Sequence, residues 1–165
     1  WVNPSPNMRS LTQATLYPAI GLIEGCSISV GRGTDTPFEV FGAPWVDGRK
    51  LAARLNSLSL KGVRFVPYRF TPDSSKYKDK ACGGVQVVLA DRNAFDPLET
   101  GLSIARELKL LFGDDFDIDK VNNLLFHKAT VDAVKASTSP TSYTPLWKDS
   151  VSKFLETRKK YLLYE

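Results

Sequence analysis

The sequence predicts an α+β domain with a small mixed sheet of about three to four strands covered by helices. Two apolar runs of strand composition, Val63–Phe70 and Gly84–Ala90, stand apart from a long stretch of helical periodicity at Asp96–Phe112. Strand-like and helix-like patterns alternate without an internal repeat, which is typical of a packed α+β unit. The 165 residues are 42% hydrophobic and 24% charged, a composition that excludes a disordered, collagen-like or coiled-coil chain.

Residues 1–9 are predicted to be an extended linker, because Pro4 and Pro6 push the residues before them out of the helical region. The chain begins with Trp1 rather than Met, so we expect this linker to come from a missing N-terminal domain. Ser10 then caps a helix that Pro18 ends or kinks.

A short apolar piece at 20–23 leads into a loop over 26–36 that is rich in Gly, Ser and Thr. Phe38–Phe41 has the composition of a short strand, closed by Gly42-Ala43-Pro44, and Asp47 is suited to cap the next helix. In the strand that follows, Pro67 favours an edge position because proline has no N–H to donate to a neighbour.

The helix over Asp96–Phe112 has the clearest boundaries in the sequence. Asp96 caps it, Pro97 occupies its first turn, and Gly113 ends it. We expect this helix to pack on the sheet, whose core-facing strand residues are Val63, Phe65, Val85, Val87 and Leu89.

The last third of the chain is predicted to be helical. The region 118–136 favours short helical pieces with Lys120, Lys128 and Lys135 outward. Thr144-Pro145 repeats the capped start of the previous helix and predicts a final helix, with apolar positions at Val151, Phe154, Leu155 and Leu162.

The sequence lacks the motifs and charge patterns of several functional classes. The net charge is only +4, and the densest basic cluster, Arg158-Lys159-Lys160, is too short to indicate nucleic-acid binding. No apolar run reaches the roughly 18–20 residues of a membrane span. His127 is the only histidine, and no zinc, phosphate-loop or dinucleotide motif is present, so we expect no metal and no cofactor. Cys26 and Cys82 form either one disulfide or two ordinary thiols.

The segment with the strongest chemical interest runs from Glu24 to Thr34. Gly31 and Gly33 flank Arg32, so the backbone there can approach a ligand closely while the guanidinium offers a fork of donors to a carboxylate. Two interpretations are open: a Glu24–Arg32 ion pair that pins a turn, or a polar ligand site. The candidate site residues are Glu24, Ser29, Gly31, Arg32, Gly33 and Thr34, with Trp45 and Lys76 from elsewhere.

A set of motifs gives the sequence a family resemblance. They are Trp1-Val2, Tyr17-Pro18, Glu24-Gly25, Gly31-Arg32-Gly33-Thr34, Pro37-Phe38-Glu39, Gly42-Ala43-Pro44-Trp45, Gly62-Val63-Arg64-Phe65, Phe70-Thr71-Pro72, Ser75-Lys76-Tyr77 and Cys82-Gly83-Gly84. The sequence resembles the C-terminal domain of NamZ-type exo-β-N-acetylmuramidases, a bacterial family long catalogued as a domain of unknown function. One departure is Cys26-Ser27, where the family usually has Thr-Asn.

The resemblance implies a two-domain protein. Residues 10–165 would be the C-terminal domain, which forms one wall of a substrate cleft against an N-terminal Rossmann-like domain. The family's proposed catalytic glutamates lie mainly in that other domain, so Glu24 is expected to position substrate rather than act as the general acid. The implied ligand is an acidic amino sugar or peptidoglycan fragment.

The function implied by the resemblance is release of N-acetylmuramic acid from peptidoglycan fragments by the intact protein, in the bacterial periplasm or outside the cell. The residues alone leave two alternatives open: a non-catalytic cell-wall carbohydrate-binding module, and a structural or dimerisation domain. Because glycoside hydrolysis needs two carboxyl groups across one bond, the 165-residue chain by itself is expected to be inactive.

Overall fold

The computed structural model describes residues 2–136 and 143–164. The architecture is α+β, as the sequence predicts, with three strands: β1 Val40–Ala43, β2 Val63–Phe70 and β3 Cys82–Leu89. The α-helices are α1 Leu11–Ile20, α2 Gly48–Ser57, α3 Pro97–Phe112, α4 Asn122–Leu125, α5 Lys128–Lys135 and α6 Lys148–Lys159. Short 3₁₀ turns lie at Gly21–Ile23, Gly113–Asp115, Ile118–Val121 and Thr144–Leu146.

The sheet has the strand order β1-β3-β2, and both pairs are antiparallel. We expected a mixed sheet, but both strand pairs are antiparallel, so that part of the expectation is wrong. β1 and β2 do run in the same direction, but β3 lies between them and α2 is the crossover that joins them. The edge position predicted from Pro67 is confirmed, since β2 pairs with β3 alone and Pro67 lies opposite Val85.

The core face of the sheet is the predicted one. Val63, Phe65, Val85 and Val87 are all buried, and Leu89 packs against the same core. The helix that covers them is α2, however, whereas α3 packs mainly against α1 and α2. The prediction that α3 packs on the sheet is thus wrong. Because α2 connects β1 to β2 across β3, it occupies the inner face first and α3 forms the next layer.

Local capping signals mark the starts of the first three α-helices. The side chains of Ser10, Asp47 and Asp96 each accept hydrogen bonds from backbone N–H groups in the first turns of α1, α2 and α3. Pro18 does not end α1, which continues to Ile20. The strand predicted at 38–41 begins two residues later because Phe38 adopts a φ of 64° in the preceding turn.

The C-terminal region is helical in pieces, with Lys120, Lys128 and Lys135 exposed and ion-paired as the outward positions predict. The final α-helix begins at Lys148, after the 3₁₀ turn that contains Pro145. None of its residues is buried, and Phe154 is 63% exposed. No helix among the described residues has the length and apolarity needed to cross a membrane.

Candidate functional site

The Gly-rich loop, residues 24–36, is fastened to the edge of β1. Ser29 N–H donates to the carbonyl of Gly42 at 2.8 Å, and Gly42 N–H donates back to Ser29 at 3.0 Å. Ser29 is only 2% exposed, and its hydroxyl accepts from Gly31 N–H at 3.3 Å. Ser29 was a candidate site residue from the sequence, but its backbone pairing with Gly42 buries it, so its hydroxyl is not open to a ligand.

The two glycines of the loop are required by the backbone. Gly31 and Gly33 have φ values of 81° and 80°, which side chains rarely tolerate. A Cβ on Gly33 would lie 2.5 Å from the carbonyl oxygen of Ser74, so no other residue fits there. The Thr34 hydroxyl donates to Gly31 O at 2.6 Å and accepts from Thr36 N–H at 3.2 Å, which commits it to the shape of the loop.

The Glu24–Arg32 ion pair exists and is bidentate. Arg32 Nε donates to one carboxylate oxygen of Glu24, and Arg32 Nη2 donates to the other at 3.3 Å. The guanidinium also lies over the ring of Phe38, with its carbon 5.0 Å from the ring centroid. Both side chains of the pair remain about one third exposed, at 32% for Arg32 and 30% for Glu24.

A second segment, the covering loop (residues 72–80), closes over the Gly-rich loop. Asp73 N–H donates to Gly33 O at 2.8 Å, and Tyr77 Oη donates to Ser27 O at 2.9 Å. Lys76 Nζ donates to Glu24 O at 3.1 Å and also to the carbonyl oxygen of Cys26. Lys76 is therefore a partly buried link between the two loops rather than a solvated surface lysine.

Burial sets the protonation chemistry of this region. Desolvation lowers the pKa of Lys76 and raises the pKa of the Cys26 thiol to about 12. Desolvation also raises the pKa of Cys82. Both cysteines are buried free thiols in the structure, so of the two alternatives the sequence left open, the disulfide is not formed.

Trp45 and His127 have local packing partners. The Trp45 ring is tilted against Phe112, with centroids 5.4 Å apart, and its Nε1–H donates to Tyr77 Oη at 3.3 Å. Trp45 is partly buried against the core, which favours a structural position over a free stacking platform. His127 Nδ1 is 2.7 Å from Thr130 Oγ1 at the start of α5.

The Glu24–Arg32 pair has spare capacity for an anion. Two of the five guanidinium N–H donors bind Glu24, and the other three have no partner among residues 2–136 and 143–164, so they are open to a carboxylate on the exposed side. Glu24 itself, held by two donors, is better suited to orient Arg32 than to transfer a proton. Among the described residues no group of three His, Cys, Asp or Glu side chains is arranged to hold a metal ion.

A cavity of about 1100 Å³ lies away from the Gly-rich loop, between the first turn of α2 and the adjacent ends of β2 and β3. We name it the sheet-end groove, lined by residues 44, 46–49, 67–71 and 81–83. Of these, the alternation Tyr68-Arg69-Phe70 was visible in the sequence. The proximity of Arg49 and Gly83 was not visible, because only the fold brings the start of α2 against the start of β3.

Comparison with known proteins identifies relatives over nearly the whole chain. The family described as "Exo-beta-N-acetylmuramidase NamZ, C-terminal" matches residues 15–164. The peptidoglycan beta-N-acetylmuramidase NamZ of Bacillus subtilis (strain 168) is 39% identical over 169 residues, which is 99% of this chain and 40% of that protein. The chain thus spans less than half the length of this relative.

Two solved structures share the fold. Both are DUF1343 family proteins from Bacteroides fragilis NCTC 9343 and are 29% identical to this chain. The first has a TM-score of 0.80 and covers 100% of this chain and 45% of its own, and the second has 0.72 with 99% and 44%. The expectation from the sequence motifs is confirmed: the chain belongs to the NamZ C-terminal domain family.

Proposed function

We propose that this chain is the C-terminal, cleft-forming part of a peptidoglycan β-N-acetylmuramidase that works at the bacterial cell wall, in the periplasm or outside the cell. The observation that carries the proposal is the 39% identity to the Bacillus subtilis enzyme over 99% of the chain. Identity of this extent, without long gaps at either end, favours a shared role of the domain as well as a shared fold.

Within that enzyme the Glu24–Arg32 pair, about one third exposed, is the proposed contact to the acidic sugar. N-acetylmuramic acid carries a lactyl carboxylate that plain N-acetylglucosamine lacks, and a forked guanidinium binds a carboxylate with two parallel hydrogen bonds. Glu24 orients Arg32, and Lys76 holds the carbonyls of residues 24 and 26 from the other side. The remaining candidate residues hold this arrangement in place and do not contact the ligand through their own side-chain groups. They are Ser29, Gly31, Gly33, Thr34 and Trp45.

The proposal places bond cleavage in another part of the longer protein. Glycoside hydrolysis needs two carboxyl groups roughly 5–10 Å apart across the scissile bond. Glu24 is bound by Arg32, the Asp35 side chain is fully exposed and 3.9 Å from Arg9, and the Glu39 side chain is partly buried. Of the three carboxylates, only Glu24 is held against the Arg32 guanidinium, so we expect this loop to offer one carboxylate to a ligand there and not a pair. The geometry supports binding by this domain more directly than catalysis.

The test is hydrolysis of a chromogenic β-N-acetylmuramide by a protein of the relatives' full length and by the 165-residue chain alone. We expect turnover only by the longer protein. In it, Arg32→Ala should lower kcat/KM by about 2–4 kcal/mol in transition-state free energy, the scale of losing a charged hydrogen-bond partner. Arg32→Lys should recover part of the loss, because the charge stays while the fork is gone.

The matched control is Arg92→Ala, which removes an exposed arginine from the β3–α3 connection and should leave kcat/KM unchanged. Thermal unfolding of each variant separates a folding defect from a binding defect. Robust turnover by the chain alone would show that the chemistry lies in this domain. Full activity of Arg32→Ala would show that the acidic sugar is bound elsewhere.

A further inference from the structure

The last helix, α6, has an apolar stripe that the rest of the described structure leaves exposed. Val151, Phe154 and Leu155 lie three and four residues apart, so they share one side of the helix, and all three are exposed. Polar side chains occupy the opposite side, at Asp149, Lys153 and Glu156. Among residues 2–136 and 143–164, the 3₁₀ turn Thr144–Leu146 just before α6 is the only element in extensive contact with it.

More exposed apolar residues follow the helix. Tyr161-Leu162-Leu163-Tyr164 is a run of four large apolar or aromatic residues, all exposed, with Leu163 at 89%. We call these four residues, together with Val151, Phe154 and Leu155, the α6 surface. Monomeric proteins commonly expose single apolar side chains, whereas a concentrated set of this kind marks an interaction surface.

A helix of this length needs a packing partner. α6 has 12 residues, and isolated helices shorter than about 12–15 residues are marginal in water, because most helix stability in proteins comes from packing of an apolar face. The residue before it, Trp147, supplies no side-chain cap. The ion pair between Lys159 and Glu156 is exposed and therefore contributes little. The contacts that would stabilise α6 are thus missing from the described residues, and the α6 surface is where they would form.

The length of the relatives indicates what covers this surface. The family match extends to residue 164, so α6 lies inside the shared region. That region is 40% of the Bacillus subtilis protein and 45% and 44% of the two solved chains, and the family is described as C-terminal. More than half of each relative therefore lies outside it. A domain linked in the same chain has an effective concentration on the order of millimolar, so it covers an apolar surface before a second copy can.

The composition of this part of α6 is that of a protein–protein contact. Arg158 extends the stripe by one turn, and its guanidinium has no hydrogen-bond or ion-pair partner among the residues that the structure describes. Aromatic residues and arginine are enriched at protein interfaces, whereas lysine and glutamate are depleted there. The α6 surface with Arg158 beside it fits this pattern.

We propose that the α6 surface packs against the N-terminal part of the longer protein and fixes one domain on the other. The inference rests on the proposed function, which makes this chain the C-terminal part of such a protein. Phe154 and Leu155 anchor the contact, residues 161–164 extend it, and Arg158 binds an oxygen of the partner at its edge. Held in this way, the domain keeps the Glu24–Arg32 pair in a fixed position relative to the part that cleaves the bond.

The test is amide hydrogen exchange of residues 149–159, measured by mass spectrometry, in a protein of the relatives' full length and in the 165-residue chain. We expect exchange to be slower in the longer protein by at least about a hundredfold, because opening α6 there must also break the domain contact. In the longer protein, Phe154→Ser should speed this exchange by at least about tenfold, since it truncates a buried aromatic side chain. The matched control is Lys153→Ser, which truncates the neighbouring side chain on the polar side and should leave the exchange nearly unchanged.

Equally fast exchange of α6 in the two proteins would overturn the inference, as would equal effects of Phe154→Ser and Lys153→Ser. Protection in the 165-residue chain that grows with its concentration, together with a dimer in analytical ultracentrifugation, would assign the surface to a second copy and would also overturn it. Failure of the proposed function is read separately, from the absence of β-N-acetylmuramide hydrolysis by the longer protein, and does not alter the exchange measurement.

Discussion

At the scale of single residues, the most consequential side chain outside the candidate site is Glu107. Its carboxylate is completely buried in α3 and is bound by Arg54 Nε at 2.7 Å and by Arg106. Arg54 belongs to α2, so this ion pair joins the helix that covers the sheet to the helix outside it. Removing Glu107 deprives the guanidinium of Arg106, whose side chain is only 15% exposed, of an ionic partner in a place where water replaces it poorly.

We therefore expect Glu107→Ala to lower the free energy of unfolding by about 3–5 kcal/mol, since two guanidinium groups would lose the same carboxylate. Urea unfolding followed by circular dichroism measures this. The control is Asp132→Ala, which removes the exposed pair with Lys128 and should cost about 0–0.5 kcal/mol. Equal effects of the two substitutions would mean that the Glu107 network does not stabilise the fold.

From the burial of the Cys26 thiol we expect the free energy of unfolding to fall at alkaline pH. Its pKa of about 12 in the folded chain lies above its ordinary value of 9.0, so between these values the unfolded chain has released a proton that the folded chain keeps. The free energy of unfolding then falls as pH rises, and one such group contributes on the order of 1 kcal/mol between pH 8 and pH 10. The charged groups that act on it are Lys76, Asp117 and Lys120.

The measurement is the difference in unfolding free energy between pH 8 and pH 10, under reducing conditions, for the wild type and for Cys26→Ala. The pH-dependent loss should be smaller in the variant, although burial of Lys76 acts in the opposite direction in both proteins. The control is Val30→Ala, which also truncates a buried side chain but removes no titrating group. It should keep the wild-type pH dependence. An identical pH dependence in Cys26→Ala would contradict the assignment.

At the scale of secondary structure, α3 and α6 present opposite cases. Leu108 of α3 is fully buried, whereas Phe154 of α6 is 63% exposed. We expect Leu108→Ala to cost about 2–5 kcal/mol in unfolding free energy and Phe154→Ala to change it by no more than about 0.5 kcal/mol. The two variants of the 165-residue chain are compared by urea unfolding. A loss above about 2 kcal/mol for Phe154→Ala would show that α6 packs on the domain.

Sequence patterns predicted the helices and strands better than they predicted which of them pack against each other. The caps at Ser10, Asp47 and Asp96 are local signals, readable from a few residues, and all three are confirmed. The apolar face of α3 showed that another element packs on this helix, but it did not show which one. The packing partner depends on the topology, which the helix pattern does not contain. Only the strand order reveals that α2 must cross β3 and take the inner face.

The same limit applies to the candidate site. The Glu24–Arg32 pair was one of two interpretations of the sequence, and charge complementarity eight residues apart was enough to raise it. The hydroxyls of Ser29 and Thr34 resemble ligand-binding groups in composition, yet their partners are backbone atoms of the loop itself. Composition cannot distinguish these uses, because a serine or threonine hydroxyl bonds a main chain and a sugar with the same geometry.

At the scale of the whole molecule, the central place of β3 governs how a nascent chain can fold. β1 and β2 leave the ribosome first, yet neither has its neighbour until residue 89 is made. At about 5–20 residues per second, β2 waits roughly 1–4 s with both edges unpaired. Pro67, Arg64 and Arg69 interrupt that strand with a missing N–H and two charges, so they act as gatekeepers against pairing with a neighbouring chain during this interval.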